Sequence, residues 1–174
     1  MTSKPSAEDE QRFDQWVREH GRAVRGFVFS LVRKDDVADD LLQEVFKRAW
    51  QARERYEEQG TARAYLLRIA DRLVCDWARR QKPELQMDDD QWQMATPFVK
   101  TAEPNRRIEH TELREELEFV LDRVSPSQRR VLLLRFFGDM SFQEIAEVLD
   151  CPLNTALSHC RRGLLQMKQL MTEG

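Results

Sequence analysis

Apolar residues recur every three or four positions in one segment of this chain after another, and nowhere do they alternate in twos. A period near 3.6 collects such residues on one face of a helix, whereas a half-buried strand needs a period of two, so the pattern predicts an all-α protein. The first segment runs from about Glu10 to Val32, with Phe13, Val17, Val24, Phe27, Val28 and Leu31 inward. Arg33–Asp36 interrupts it. Asp35 or Asp36 is expected to cap a second helix that carries Leu41, Leu42, Val45, Phe46, Ala49 and Trp50. Arg53–Gly60 reads as a polar loop, and a third helix follows from Thr61 to about Arg80, built around Leu66, Ile69, Ala70, Leu73 and Trp77.

The periodicity then stops. Lys82 to about Ile108 holds Pro83, Pro97, Pro104 and the acidic triplet Asp88–Asp90, a composition that predicts a linker in which Trp92 and Phe98 are apolar exceptions. A helical pattern resumes at Glu112–Val124 through Leu113, Leu117, Val120 and Leu121. Ser125-Pro-Ser-Gln128 and Ser141-Phe-Gln-Glu144 are capping boxes, in which a serine and the Gln or Glu three residues later cap each other's amides. Pro126 suits a first helical position. The helix it opens holds Val131, Leu132, Leu134 and Phe137 and is expected to end at Gly138; the second box opens a short helix with Ile145, Ala146 and Leu149. Asp150-Cys-Pro152 breaks the chain before a last helix to about Met171. The expected organisation is a helical domain over residues 1–81, a linker over 82–111 and a second helical domain over 112–174, two small bundles in all.

The net charge of −3 at first argues against a nucleic-acid partner, but its distribution argues for one. Residues 61–82 carry Arg63, Arg68, Arg72, Arg79, Arg80 and Lys82 against Asp71 and Asp76, and no Asp or Glu occurs from Cys151 to Thr172. Acids gather instead at Asp35–Asp40, Asp88–Asp90 and Glu112–Glu118, so one side suits DNA and another a protein. No run approaches the roughly 20 apolar residues of a membrane span. The chain begins on a polar stretch, and a cytoplasmic protein with no membrane insertion is expected. Cys75, Cys151 and Cys160 are scattered, and the Cys151, His159, Cys160 group lacks the paired spacing of a zinc site, so no metal or cofactor is expected. No nucleophile–base pair or glycine-rich phosphate loop is visible, which argues against an enzyme.

Ser141–Met171 has the layout of a helix-turn-helix: a short capped helix, a tight break, and a longer helix without acids. At 100° per residue, Ala156, Cys160, Leu164, Met167 and Met171 of that last helix share the face expected to pack. Thr155, Ser158, Arg162 and Gln169 lie opposite, flanked by His159, Arg161 and Gln166. Such an exposed face offers donors to phosphates and base edges.

Both halves together resemble the extracytoplasmic-function (ECF) sigma factors of bacterial RNA polymerase. The N-terminal resemblance lies in Asp36-Val-Ala-Asp-Asp-Leu-Leu-Gln-Glu-Val-Phe-Lys-Arg-Ala-Trp50 and in Ala62-Arg-Ala-Tyr-Leu-Leu-Arg-Ile-Ala-Asp-Arg-Leu-Val-Cys-Asp-Trp-Ala-Arg-Arg80. The C-terminal resemblance lies in Leu121-Asp-Arg-Val-Ser-Pro-Ser-Gln-Arg-Arg-Val-Leu-Leu-Leu-Arg135 and in Ser141-Phe-Gln-Glu-Ile-Ala-Glu-Val-Leu149. A helix-turn-helix alone is common; these motifs in this order around a proline-containing linker are not.

The resemblance implies roles. The Asp36–Trp50 helix would grip core RNA polymerase with Asp36, Asp39, Asp40, Gln43, Glu44 and Lys47. Arg53–Tyr65 would include the loop that captures a flipped base of the promoter minus-ten element, with Tyr56, Arg63 and Tyr65 as candidates. Arg68, Arg72, Asp76, Arg79 and Arg80 would form the adjoining DNA face; Arg72 and Asp76, four apart, can equally pair with each other. The last helix would read the minus-thirty-five element through Thr155, Ser158, His159, Arg161 and Arg162. Here the chain departs from the family's usual Gly-Thr-Val-Lys/Arg-Ser-Arg. It has Asn154-Thr-Ala-Leu-Ser-His159, so Leu157 and His159 stand where basic residues are common, and Pro152 stands where a serine cap is common. Leu157 lies at the edge of the packing face, either core or solvent-facing. The expected partners are core RNA polymerase and promoter DNA; because the further domains of the family's primary members are lacking, the resemblance implies regulation by a separate anti-sigma factor or by the protein's own synthesis. Two rivals are a helix-turn-helix regulator that never joins polymerase and a protein-binding adaptor; the Asp36–Trp50 match speaks against the first and the acid-free last helix against the second.

Overall fold

A computed structural model describes residues 5–56, 61–81 and 111–172, with side chains from Glu116 onward in the last stretch. The expected linker, with Trp92 and Phe98, and the Leu113 side chain lie outside the described residues. Among the described residues there is no strand. The helices are α1 (Ala7–Val32), α2 (Asp35–Gln51), α3 (Ala62–Gln81), α4 (Thr111–Leu121), α5 (Pro126–Phe136), α6 (Phe142–Leu149) and α7 (Leu153–Thr172), with a 3-10 turn at Arg53–Arg55. The chain divides into two compact units, Met1–Cys75 and Asp76–Gly174, and α3 runs unbroken through the division.

In the first unit α1 packs along α2. Its start is a capping box: Ser6 accepts from the Asp9 amide, and the Asp9 carboxylate accepts from the Ser6 amide. Arg33, at φ 56°, turns the chain out of α1. Lys34 then stands at the N-cap of α2 without a side-chain bond, so the capping role expected for Asp35 or Asp36 is not filled; both sit in the first turn. There they still meet the positive end of the helix dipole. In α1 the buried side chains are Trp16, Val24, Phe27, Val28 and Val32. Val17, expected inside, is exposed, because the face is turned to bring Trp16 against Tyr56 and Tyr65. In α3, whose start is capped by Thr61 accepting from the Ala64 amide, burial covers Leu66, Leu67, Ala70, Asp71, Leu73, Val74 and Ala78. That arc is broader than the single stripe expected, and Ile69 and Trp77 fall at its margins.

In the second unit α7 packs against α4, α5 and α6. Both expected capping boxes are present, at Ser125 with Gln128 and at Ser141 with Glu144, and Pro126 opens α5. The core holds Val120, Val124, Val131–Leu134, Met140, Ile145, Ala156 and Cys160. Phe137, expected inside, is exposed beside Phe136, because α5 ends there. The helix stops just before Gly138, as expected, with the Gly138 amide donating to the Leu133 carbonyl, and Asp139 (φ 51°) then turns left-handed.

The expected packing face of α7 is also corrected. Ala156, Cys160 and Gly163 are buried, whereas Leu164 is 44% exposed and Met171 49%. Gly163 is the cause: a Cβ there would lie 2.9 Å from Leu132 Cδ1 and 3.3 Å from Gln128 Cβ. The helix lies so close to α5 that an added side chain would have to displace Leu132 and crowd Gln128. Gly163→Ala should therefore lower stability by about 1–3 kcal/mol through overpacking, although alanine favours a helix interior by about 1 kcal/mol. Denaturant melts of the two proteins measure this, and a gain in stability would contradict the close approach.

Candidate nucleic-acid interface

Three surfaces carry the residues singled out in the sequence. The first is the outer face of α2. Asp36, Asp39, Asp40, Gln43 and Lys47 are exposed along it, with Glu44 partly covered. Their spacing places them on one stripe, away from the buried Ala38, Leu41, Val45 and Ala49. Two of the acids are already engaged. Arg25 of α1, not anticipated from sequence, donates from Nε to Asp39 Oδ1 at 2.7 Å and from Nη2 to Asp35 Oδ1 at 2.8 Å. These bonds hold the guanidinium above its ordinary pKa. Arg48 Nε bonds Glu44 Oε1 at 2.9 Å and, with Lys47 adding to the effect, keeps that carboxyl below its ordinary value. Asp40 and Gln43 thus lie between two ion-paired edges.

The second surface surrounds an aromatic cluster. Trp16 meets Tyr56 edge-on at 4.8 Å between ring centroids, and Tyr56 meets Tyr65 at 4.7 Å. The Arg12 guanidinium lies 5.8 Å from the Trp16 ring and 5.9 Å from Tyr56. The structure therefore brings Tyr56 and Tyr65 together, from the 3-10 turn and from α3, and adds Trp16 and Arg12, which sequence reasoning missed. Burial raises the Tyr65 phenol above its usual pKa. The turn is not the polar loop expected: Arg53 is buried, stacks 4.7 Å from the Trp50 ring and donates to the Trp50 carbonyl at 3.0 Å. Residues 57–60 lie outside the described residues.

Along α3, Arg72, Asp76, Arg79 and Arg80 are exposed, while Arg63 and Arg68 are partly covered. Asp76 pairs with Arg79 Nη1 at 3.2 Å, and Arg80 Nε donates to the Asp76 carbonyl. The basic stripe thus stands largely open to solvent. Asp71, noted in the sequence only as a charge, is buried at 2% exposure.

The third surface is α7. Its exposed side carries Asn154, Leu157, Ser158, Arg161, Arg162 and Leu165, and Thr155 and His159 recede to the margin. Ser158, Arg161 and Arg162 stand where expected. Leu157, at 40% exposure, is solvent-facing, which settles the alternative left open above. Gln166 is engaged, since its Nε2 donates to the Arg123 carbonyl at 2.7 Å and ties α7 to the segment just after α4. The buried Arg129 ties α5 to the end of α4: its Nε donates to the Leu121 carbonyl at 2.8 Å and its Nη2 approaches Asp122 at 3.1 Å. Burial raises the Cys160 thiol pKa on the inner face. Among the described residues no three His, Cys, Asp or Glu side chains gather as metal ligands, and no helix is long and apolar enough to cross a membrane.

Comparison with known proteins matches both halves. The family model described as Sigma-70 region 2 matches residues 16–84, and the one described as Sigma-70, region 4 matches residues 114–167. RNA polymerase sigma factor SigV of Bacillus subtilis (strain 168) is 28% identical over 157 residues, 90% of this chain and 89% of the relative. ECF RNA polymerase sigma factor SigX of the same organism is 29% identical over 148 residues, 83% of this chain and 76% of the relative. Among solved structures, the sigma factor RpoE in complex with the anti-sigma factor NepR from Bartonella quintana shares the fold with a TM-score of 0.75. Its identity is 23%, over 93% of this chain and 98% of that one.

One consequence of the first unit's packing is testable by titration. Burial, with the Arg63 guanidinium adding to it and Glu19 opposing, holds His20 below its ordinary pKa of 6.5. The fold therefore favours neutral His20. The stability this contributes is complete above about pH 6.5 and is lost as the pH falls below it. Denaturation midpoints measured from pH 7.5 to 5 should fall, and His20→Gln should flatten the decline. An identical decline in both proteins would contradict the assignment.

Proposed function

We propose, for a chain that belongs to the ECF sigma factors of bacterial RNA polymerase, a division of labour among the three surfaces described above. As a sigma factor it directs core RNA polymerase to promoters. Residues 1–81 serve as the polymerase- and minus-ten-binding domain, 82–111 as the connector, and 112–174 as the minus-thirty-five domain. The observation that carries this reading is the segregation of charge onto separate helices: an acidic stripe on α2 and an open arginine stripe on α3.

The α2 stripe of Asp36, Asp39, Asp40, Gln43, Glu44 and Lys47 docks on core polymerase. Arg25 and Arg48 hold the carboxylates Asp39 and Glu44 in place, which lowers the entropy lost when a partner's basic groups engage the stripe. Arg63, Arg68, Arg72, Arg79 and Arg80 hold promoter backbone, with Asp76 orienting Arg79. Tyr56 and Tyr65, partly exposed and packed on the buried Trp16 with Arg12 beside them, offer aromatic faces to an unstacked base. Opening a duplex costs base stacking, and a stacking partner for the extruded base offsets part of that cost. Thr155, Ser158, His159, Arg161 and Arg162 contact the upstream duplex through phosphates and base edges. The work is non-covalent, needs no cofactor and takes place in the cytoplasm, where core polymerase is. An anti-sigma factor is the regulatory partner, of the kind seen bound to the Bartonella quintana relative.

Reversing Asp40 and Glu44 to Lys should weaken binding to core polymerase at least about ten-fold, because like charges replace a complementary stripe. Both lie off the buried face, so the circular dichroism spectrum and melting temperature should hold. Unchanged affinity at unchanged fold would remove α2 from the interface. On a duplex promoter bound by holoenzyme, Arg72→Ala or Arg79→Ala should abolish open-complex formation, and Arg162→Ala should reduce it less severely. The reverse order, followed by permanganate reactivity of the opened thymines, would place the main DNA grip on α7 instead.

A further inference from the structure

We infer that Leu157 reads the 5-methyl group of a thymine in the upstream promoter element, so that this chain selects a T·A pair at one defined step. The inference rests on the reading that α7 enters the major groove. What α7 presents there is decided by its packing. With Ala156, Cys160 and Gly163 held inside, the opposite side of its first turns shows Asn154, Leu157, Ser158 and Arg161. Leu157 is 40% exposed in the middle of this polar set. Those N-terminal turns are the part of a recognition helix that reaches base edges.

The chemistry at that point is selective. In the major groove thymine alone among the bases presents an apolar group, its methyl. Leucine against that methyl removes two apolar surfaces from water. Leucine against the edge of a G·C pair would instead cover the guanine acceptors or the cytosine amino group without bonding them, and an unpaired polar group is penalised more than a missing bond is missed. Attraction to T·A and rejection of G·C thus come from one side chain. Leu157 also aligns with the exposed Leu153 and Leu164, a ridge that a protein partner could cover. Two observations favour DNA at Leu157: Asn154, Ser158 and Arg161, donors suited to phosphates and base edges, interleave with it, and α7 carries no acid.

The test uses holoenzyme assembled from bacterial core RNA polymerase and the full chain. Bound duplexes are selected from a pool randomised upstream of a fixed downstream element. In a selected duplex each upstream thymine is then replaced singly by deoxyuridine, which removes only the methyl. At one position affinity should fall about four-fold, the worth of one methyl group kept from water. In Leu157→Ala that sensitivity should vanish at an unchanged melting temperature, and Leu157→Gln, close in size, should behave alike. Leu157→Arg should move the preference at the same position toward guanine. If no thymine is sensitive to methyl removal, or if the sensitivity persists in Leu157→Ala, the inference is overturned and the proposed function stands. Weaker assembly of Leu157→Ala with polymerase, with methyl sensitivity intact, would assign the ridge to a protein and also overturn it. Selection of no upstream sequence by the wild-type holoenzyme would overturn both readings.

Discussion

At residue 163 the side chain is a hydrogen atom, and α7 consequently lies on α5 with Leu132 and Gln128 where any larger side chain would sit. Close packing of this kind leaves a helix little freedom to rotate about its own axis, because interiors are filled like crystals and not like liquids. Ala156 and Cys160 follow Gly163 into the core, and Leu164 is forced out. Every residue that α7 offers to a partner is therefore chosen by a contact on its far side. Gln166, bonded to the Arg123 carbonyl just beyond α4, holds α7 from the other edge, and Arg129 of α5 bonds the Leu121 carbonyl at the end of α4.

The first unit solves a different problem. On the reading proposed above, α2 offers acids to a protein and α3 offers arginines to DNA, so helices of one small protein carry opposite charge on their exposed faces. Charges of opposite sign on neighbouring faces attract each other as readily as they attract partners, and screening at physiological salt removes only what lies beyond about 8 Å. The structure answers by pairing locally: Arg25 with Asp35 and Asp39, Arg48 with Glu44 and, where α3 continues past the first unit, Arg79 with Asp76. Exposed pairs of this sort add little stability, typically about 0–1 kcal/mol. Their value is in orientation. They set where a carboxylate or guanidinium points while leaving Asp40, Gln43 and Arg72 exposed on the surface.

Much of this architecture was legible in the sequence, because local rules governed it. The capping boxes at Ser125 and Ser141 marked helix starts that the structure keeps, the all-α class followed from the apolar period, and the break at Asp150–Pro152 separates the last two helices as expected. The Ser6–Asp9 box was legible too, from its Ser-x-x-Asp signal, and was overlooked. What failed was decided at a distance. A helical wheel treats Gly163 as a gap in the pattern, whereas here it is the point of contact. Arg53 falls in a segment that reads as a polar loop and nothing in the sequence marks Arg129, yet each is buried with its guanidinium bonded to a main-chain carbonyl, one in the last turn of α2 and one at the end of α4. Trp16 displaced Val17 from the interior because its partners, Tyr56 and Tyr65, come from elements distant in sequence. The candidate residues on α2 and α3 were easier to place, since exposure along an amphipathic helix follows from its own periodicity.

The central claim is that this chain acts on promoter DNA as a polymerase subunit and not as a free DNA-binding protein. Permanganate footprinting on a supercoiled promoter tests it most directly, comparing core RNA polymerase alone, the chain alone and the two together. The account predicts reactive thymines in the minus-ten region only when both are present, at a position set by the promoter and not by chance binding of core enzyme. Sequence-specific protection of duplex by the chain alone, with no opening when polymerase is added, would contradict it and identify a helix-turn-helix regulator instead.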